Sequence, residues 1–568
     1  MSITIDPLNL VNVLDPRVDV HARSRREYGV LSSGNENTWK PFPSVNFNNN
    51  SVSWSVNPPS KKIMVNRRVY MRQDWTLTFT GQSSGVGVAL LQAAGLPTAP
   101  GVSAGTQYLD APRCQPLSQV VQSMKIIINN GTLSSNIGQY FRGLTRYKND
   151  VFNQDVAMSM SATMPDQSQL YSDLQGFARD PLRGYGDNPQ QCPRGGFVGA
   201  TILSNDVTGA PGAVATVQLT CIEPVYLSPF LFGESEENQA FVGVETMDIQ
   251  CQLGGRGTTG LGIGALGSLW SHSDANTSVL TNATASLTNA VLYFNYITPD
   301  MGTELPRSMN YALYDANYLQ TQNQQVINSG QQYTAIMNTV QLSSIPTRVY
   351  VWISETDNAF NWSKTDTYYG INSVNITFEN RDSLLANASQ YDLYQMSVRN
   401  GCDMSWRQWS RDVGSVLCFS FASDVALGPL QAPGLRGKFT FSMQVNATNL
   451  SPNASIPSLG VLVISEGVAC ITEGQLFQSL GVLDEKDVLN TKQQPAQDYR
   501  PSKNVYGGGF WQDLGSWAKK FARSGINVAK SLAPAQYQPV VSELDKLAKE
   551  AGFGGRGISR SSLKQLMY

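Results

Sequence analysis

The stretch Met124-Lys125-Ile126-Ile127-Ile128-Asn129-Asn130-Gly131-Thr132 decides how the rest of this chain is read. Met124, Ile126 and Ile128 recur at every second position, as one face of a half-buried strand does. Asn129-Asn130-Gly131 supplies residue types that accept the tight geometry of a turn. Beyond it Ile137, Tyr140, Phe141, Leu144 and Tyr147 fall at helical spacing, so the segment predicts a strand, a polar turn and a short amphipathic helix. The same order recurs in the second half over 376–398. A helix is expected there at 383–397, carrying Leu384, Leu385, Tyr391, Leu393 and Tyr394.

Outward from these units the chain alternates at period two. Val52, Trp54 and Val56 lead to Pro58-Pro59, and Val69, Met71, Trp75, Leu77 and Phe79 lead to Gly81. Further strands are expected at 197–203 and 213–222, and around Val242, Val244, Met247, Ile249 and Leu253. The second half adds 290–297, 340–353, 371–378, 416–421, 439–445 and 459–471. Residues 82–109 and 150–194 read as long loops that should tolerate insertion. An apolar run, Tyr226-Leu227-Ser228-Pro229-Phe230-Leu231-Phe232, precedes an acidic turn at Glu234, Glu236 and Glu237.

Composition agrees with strands and uncharged loops. Charged residues make up only 15% of the chain against 41% hydrophobic, with 49 Gly and 28 Pro as punctuation. The expected layout is an extended arm over 1–45, a first β module over 46–268, a second over 269–490 and a tail over 491–568. Arg23-Ser24-Arg25-Arg26 in the arm suits a surface segment or a nucleic-acid contact. Of 41 basic and 43 acidic residues, 11 and 4 fall between Arg500 and Tyr568, so a basic tail follows an acidic body. The seven cysteines are scattered without a C-x-x-C pair, which suits buried free thiols better than a disulfide framework.

Nothing in the chain looks like an active site, and no catalytic, cofactor-binding or metal-binding residue is assigned. There are two histidines, no H-E-x-x-H, and no acidic calcium loop. Ser271-His272-Ser273-Asp274 has triad residue types, but neighbouring side chains on an extended segment point to opposite faces, so His272 reads as a polar strand-end residue. The glycine run from Gly254 lacks the lysine of a phosphate loop. The sequence therefore does not describe an enzyme. The candidate docking site is in the tail, where Trp511, Leu514, Trp517, Lys519, Lys520, Phe521 and Arg523 combine aromatic and basic side chains on a helical pattern. That combination suits a groove on a partner or on the chain's own body, a membrane surface, or a disordered tail.

Taken in order, these segments resemble the double jelly-roll major capsid proteins of DNA viruses, of the polinton-like, adintovirus and virophage type. The likeness rests on Ile126–Thr132 with the helix to Tyr147, on Pro229-Phe230, and on Pro346 with Val349-Tyr350-Val351-Trp352-Ile353. Pro41-Phe42-Pro43, Asn57-Pro58-Pro59 and Trp270-Ser271-His272-Ser273-Asp274 also belong to it. The resemblance implies an all-β fold of two tandem eight-stranded antiparallel jelly rolls with short helices, an extended N-terminal arm and a helical C-terminal tail. It implies a homotrimeric, pseudo-hexagonal capsomer in an icosahedral virion shell around double-stranded DNA, assembled inside a host cell. The partners it implies are neighbouring capsomers, penton and minor capsid proteins, and an inner membrane or DNA touched by the basic tail, with no cofactor and no small-molecule substrate. The tail departs from relatives that end soon after the second barrel. The alternative reading is a receptor- or carbohydrate-binding β-sandwich surface protein.

Overall fold

A computed structural model describes residues 11–13, 29–31, 36–148, 197–226, 240–255, 264–272, 279–299, 305–356 and 369–483, apart from short breaks within these stretches. Strands are numbered in chain order. A short parallel pair, β1 (Val11–Val13) and β2 (Gly29–Leu31), precedes the first barrel. One sheet of that barrel contains β3 (Glu36–Pro43), β6 (Met64–Gln82), β10 (Phe197–Asn205), β11 (Ala213–Tyr226) and β14 (Val279–Thr298), in the order β10-β11-β6-β14-β3. The facing sheet contains β4 (Asn46–Phe47), β5 (Ser51–Val56), β8 (Val121–Ile128), β9 (Gly131–Ser135) and β12 (Met247–Leu253), in the order β4-β5-β12-β8-β9. A small ribbon pairs β7 (Asp110–Pro112) with β13 (Trp270–His272).

The second barrel repeats this plan. Its first sheet runs β15 (Ser308–Gln322), β22 (Pro457–Thr472), β17 (Arg348–Glu355), β20 (Leu417–Ser420), with β23 (Gln475–Leu480) also on β22. Its second runs β16 (Gln332–Ser344), β21 (Arg436–Asn449), β18 (Tyr369–Phe378), β19 (Arg381–Leu384). Taking the eight principal strands of each barrel in chain order, one sheet reads first-eighth-third-sixth and the other second-seventh-fourth-fifth, in both barrels. The named strands of both barrels pair antiparallel throughout. That is the jelly-roll order, in which two sheets fold over one core and leave few open edges.

The period-two pattern places the cores. Along β8 Val121, Met124, Ile126 and Ile128 are buried, in one continuous cluster with Trp54 of the same sheet and Trp75 and Phe79 of the facing one. Asn129 takes a left-handed φ of 52° in the turn from β8 to β9, a conformation that asparagine enters more readily than most residues. Helix α1 (Ile137–Lys148) follows, as the spacing predicts; residues 131–135 add a hairpin strand between turn and helix.

Three expectations shift. The second helix begins later than residue 383, because Arg381–Leu384 pairs with β18 as a strand and Ser383 and Leu385 take positive φ. The helix is Gln390–Arg399, started by a capping box in which Ser389 and Asp392 bond each other's backbone N–H. The end of the 1–45 arm is itself a strand, since Glu36–Pro43 pairs along β14. The module boundary also lies past residue 269. β14 is hydrogen-bonded to β6 along nearly its whole length, so it closes the first barrel, and the second begins at β15. Before it, a short helix α2 (Ala265–Leu269) buries Leu266 and Leu269 in the first core. The later helix, Gln390–Arg399, is α3.

Candidate functional site: the seam between the barrels and the faces around it

Helix α1 leaves its own barrel to pack on the other. Tyr140, Leu144 and Tyr147 are buried in the second core, on the outer face of β17. The Tyr147 hydroxyl donates to the Ser397 carbonyl at 2.7 Å, and its ring meets Tyr350 edge-on at 5.0 Å. Gly143 faces Trp352 so closely that a Cβ there would lie 2.7 Å from the indole. Tyr318 of β15 stacks on the same indole at 5.6 Å.

The second barrel returns the contact. Tyr311, Leu313, Ala469 and Ile471 are buried in the first core. Tyr311 meets Phe241 at 5.1 Å; its hydroxyl accepts from Val242 N–H at 2.8 Å and donates to the Ala240 carbonyl at 3.2 Å. At the edge, Gln478 Nε2 donates to the Thr132 carbonyl at 3.1 Å, and Leu476 fills the space beside Gly131. Fully buried side chains of this size each contribute about 1.5–3 kcal/mol, so an exchange of several on both sides joins the barrels into one body.

Buried thiols and polar groups of the barrels serve packing. Burial pushes the thiols of Cys251 and Cys418 up to about 12, so neither is a nucleophile near neutrality. His272, at the end of β13, bonds Asp110 through Nδ1 at 2.5 Å; both are buried, and the second Asp110 oxygen accepts from Gln92 N–H at 2.7 Å. The sequence reading of His272 as a polar strand-end residue misses this partner, which is 162 residues away in the chain. The pair pins the 82–109 loop, whose Leu90, Leu91, Ala93 and Leu96 reach the first core. Insertions there would be tolerated only at exposed tips such as Val86, 89% exposed. Among the described residues no group of three His, Cys, Asp or Glu side chains converges.

Two aromatic faces remain open. On the outer face of the first barrel Trp39 of β3 packs on Tyr70 of β6 at 5.1 Å, with Trp39 44% exposed. On the second barrel Tyr391 of α3 and Trp406 meet at 5.3 Å and are 53% and 36% exposed. The tail residues Trp511, Leu514, Trp517, Lys519, Lys520, Phe521 and Arg523 lie outside the described residues, as do Phe230 and the 150–194 loop. The tail reading marks none of the seam. Its only signal in the sequence is the clustering of Tyr140, Gly143, Leu144 and Tyr147 on one helical face.

Two family models match the chain: the Sputnik virophage major capsid protein first domain over residues 8–297, and the major capsid protein V20 C-terminal domain over residues 315–413. The first match ends within β14 and the second begins within β15. The chain is 25% identical to a capsid protein, V20, of Sputnik virophage, over 98% of this chain and 95% of that one. The solved structure of the Sputnik virophage aligns with a TM-score of 0.70 at 25% identity, covering 89% of this chain and all of the other. The mavirus major capsid protein aligns with a TM-score of 0.60 at 13% identity over 81% and 92%, a likeness of fold.

Proposed function

Because the chain belongs to the Sputnik virophage major capsid protein family and is a structural protein of a virion shell, we propose that it builds that shell as homotrimeric capsomers of pseudo-hexagonal outline. The observation that carries this reading is the repetition of one strand order in two barrels fused through a buried seam. Three such chains around an axis present six similar barrels, and six-fold outlines tile a closed shell with neighbouring capsomers. A penton protein and minor capsid proteins fill the remaining positions. The basic tail carrying Trp511, Trp517, Lys519, Lys520 and Arg523 faces an anionic partner, the packaged double-stranded DNA or an inner membrane.

The test is the mass of the purified full chain by light scattering, with negative-stain images of the same peak. A particle of three chains with hexagonal outline, or spontaneous shells, is expected. A stable monomer under all assembly conditions would instead favour a receptor- or carbohydrate-binding surface protein, for which exposed Tyr391 and Trp406 would be the first place to look.

A further inference from the structure

The chain contains one complete helix-on-sheet contact and the two halves of a second. In each barrel a helix follows the fifth principal strand: α1 after β9, α3 after β19. In each barrel the outer face of the first-eighth-third strands carries an aromatic pair, one ring from the first strand and one from the third. These are Trp39 with Tyr70 in the first barrel and Tyr318 with Trp352 in the second. Within the chain, α1 of the first barrel covers the Tyr318–Trp352 pair.

The equivalent pair on the first barrel is left with Trp39 exposed. Beneath it Asn295, in register with Trp39, buries an amide oxygen that has no hydrogen-bond partner. The equivalent helix on the second barrel ends its chain of contacts in exposed Tyr391 and Trp406. Trp39 belongs to the first barrel and Tyr391 and Trp406 to the second, and all three stay exposed within one chain. Two copies can pair them.

We propose that the α3 face of one copy, led by Tyr391 and Trp406, docks on the Trp39–Tyr70 face of a second copy, repeating between chains the contact that α1 makes within one. The inference rests on the capsomer reading above and names its interface. A head-to-tail contact of this kind is heterologous and closes into a ring when its rotation allows. Large aromatics at the centre of an interface supply most of its energy.

The experiment uses the full chain and starts from its unmodified trimer. Trp39→Glu and Trp406→Glu are each expected to weaken association by at least about thirtyfold, while the melting temperature of the separated chain falls by no more than a few degrees. Independently, Arg72→Cys and Asp392→Cys chains, each carrying an added thiol at the edge of one face, are mixed and treated with a short bis-maleimide. A two-chain product is expected from the mixture and not from either variant alone. Trimers that persist in both glutamate variants and give no mixed product would overturn this interface while leaving the capsomer reading intact. An unmodified chain that never associates would remove both, and that result is seen before any variant is made.

Discussion

The two barrels share a strand order and even a turn, yet differ in what covers them. Asn129 and Glu379, at φ 52° and 54°, occupy the same hairpin position. Each donates its N–H to a threonine carbonyl near the seventh strand and accepts that residue's N–H with its side chain. Asn129 holds Thr246 at 2.8 and 3.2 Å, and Glu379 holds Thr440 at 2.9 and 2.6 Å. After the turn the barrels part. Helix α1 carries Tyr140, Leu144 and Tyr147 into the other barrel, whereas α3 buries Leu393 and Ser397 and leaves Tyr391 in solvent. The repeated scaffold fixes where a helix emerges, and the side chains on it decide whether the contact stays within one chain or is available to another.

The largest expected effect separates a covered aromatic from an open one. Trp352 is 3% exposed between Gly143, Tyr318 and Gly460, so Trp352→Ala leaves a large cavity and is expected to cost about 3–5 kcal/mol. Trp39→Ala at the counterpart face should cost at most about 1 kcal/mol in the separated chain, because much of that ring is already in water. Denaturant unfolding of both variants measures the gap. Equal losses would mean that the two faces are covered alike and the comparison between barrels fails.

Gly143→Ala gives a smaller effect whose sign is informative. In a helix interior this change ordinarily stabilises by up to about 1 kcal/mol, through helix propensity. Here the new methyl would meet the Trp352 indole at 2.7 Å, and the ring is also held by its stack on Tyr318. Overpacking of this kind costs about 1–3 kcal/mol, so a lowered melting temperature is expected. A raised one would show that α1 can retreat from β17.

Much of this architecture is legible in the sequence, because a strand with one wet face must alternate. Met124, Ile126 and Ile128 declare β8, and Val349, Val351 and Ile353 declare β17. Where both faces are wet or both are buried, the pattern fades. β15 reads Ser-Met-Asn-Tyr-Ala-Leu-Tyr-Asp-Ala-Asn-Tyr-Leu-Gln-Thr-Gln, with polar residues scattered through it, and it passes for a polar loop. β14 carries three register shifts that break its alternation, and with it the clue that the strand closes the first barrel. The seam was beyond reach for another reason. Tyr147 and Ser397 are 250 residues apart, and nothing local tells a tyrosine on an amphipathic helix which barrel it will enter.

The smallest effect sets one acid on the outer face of each barrel against the other. Glu466 of β22 is pushed up from the usual carboxyl range by burial, against the pull of the Arg348 charge. Asp74 of β6 is held below its usual range: burial opposes ionisation, but hydrogen bonds from Asn289 and Arg72, and the Arg72 charge, outweigh it. A raised folded-state pKa means that the fold binds its proton more tightly than the unfolded chain. Stability from Glu466 is therefore full below the unfolded value and lost as pH rises through the folded one. Asp74 acts the other way, adding stability above its unfolded value that is lost as pH falls through its folded one. Glu466→Gln should thus raise the melting temperature near neutrality and change little in acid, while Asp74→Asn should lower it near neutrality and change little in acid. Thermal melts of both variants from about pH 3 to about pH 7 test the pair. If Glu466→Gln instead destabilises at neutral pH, the Arg348 charge outweighs burial, and the outer faces of the two barrels respond to acid in the same direction.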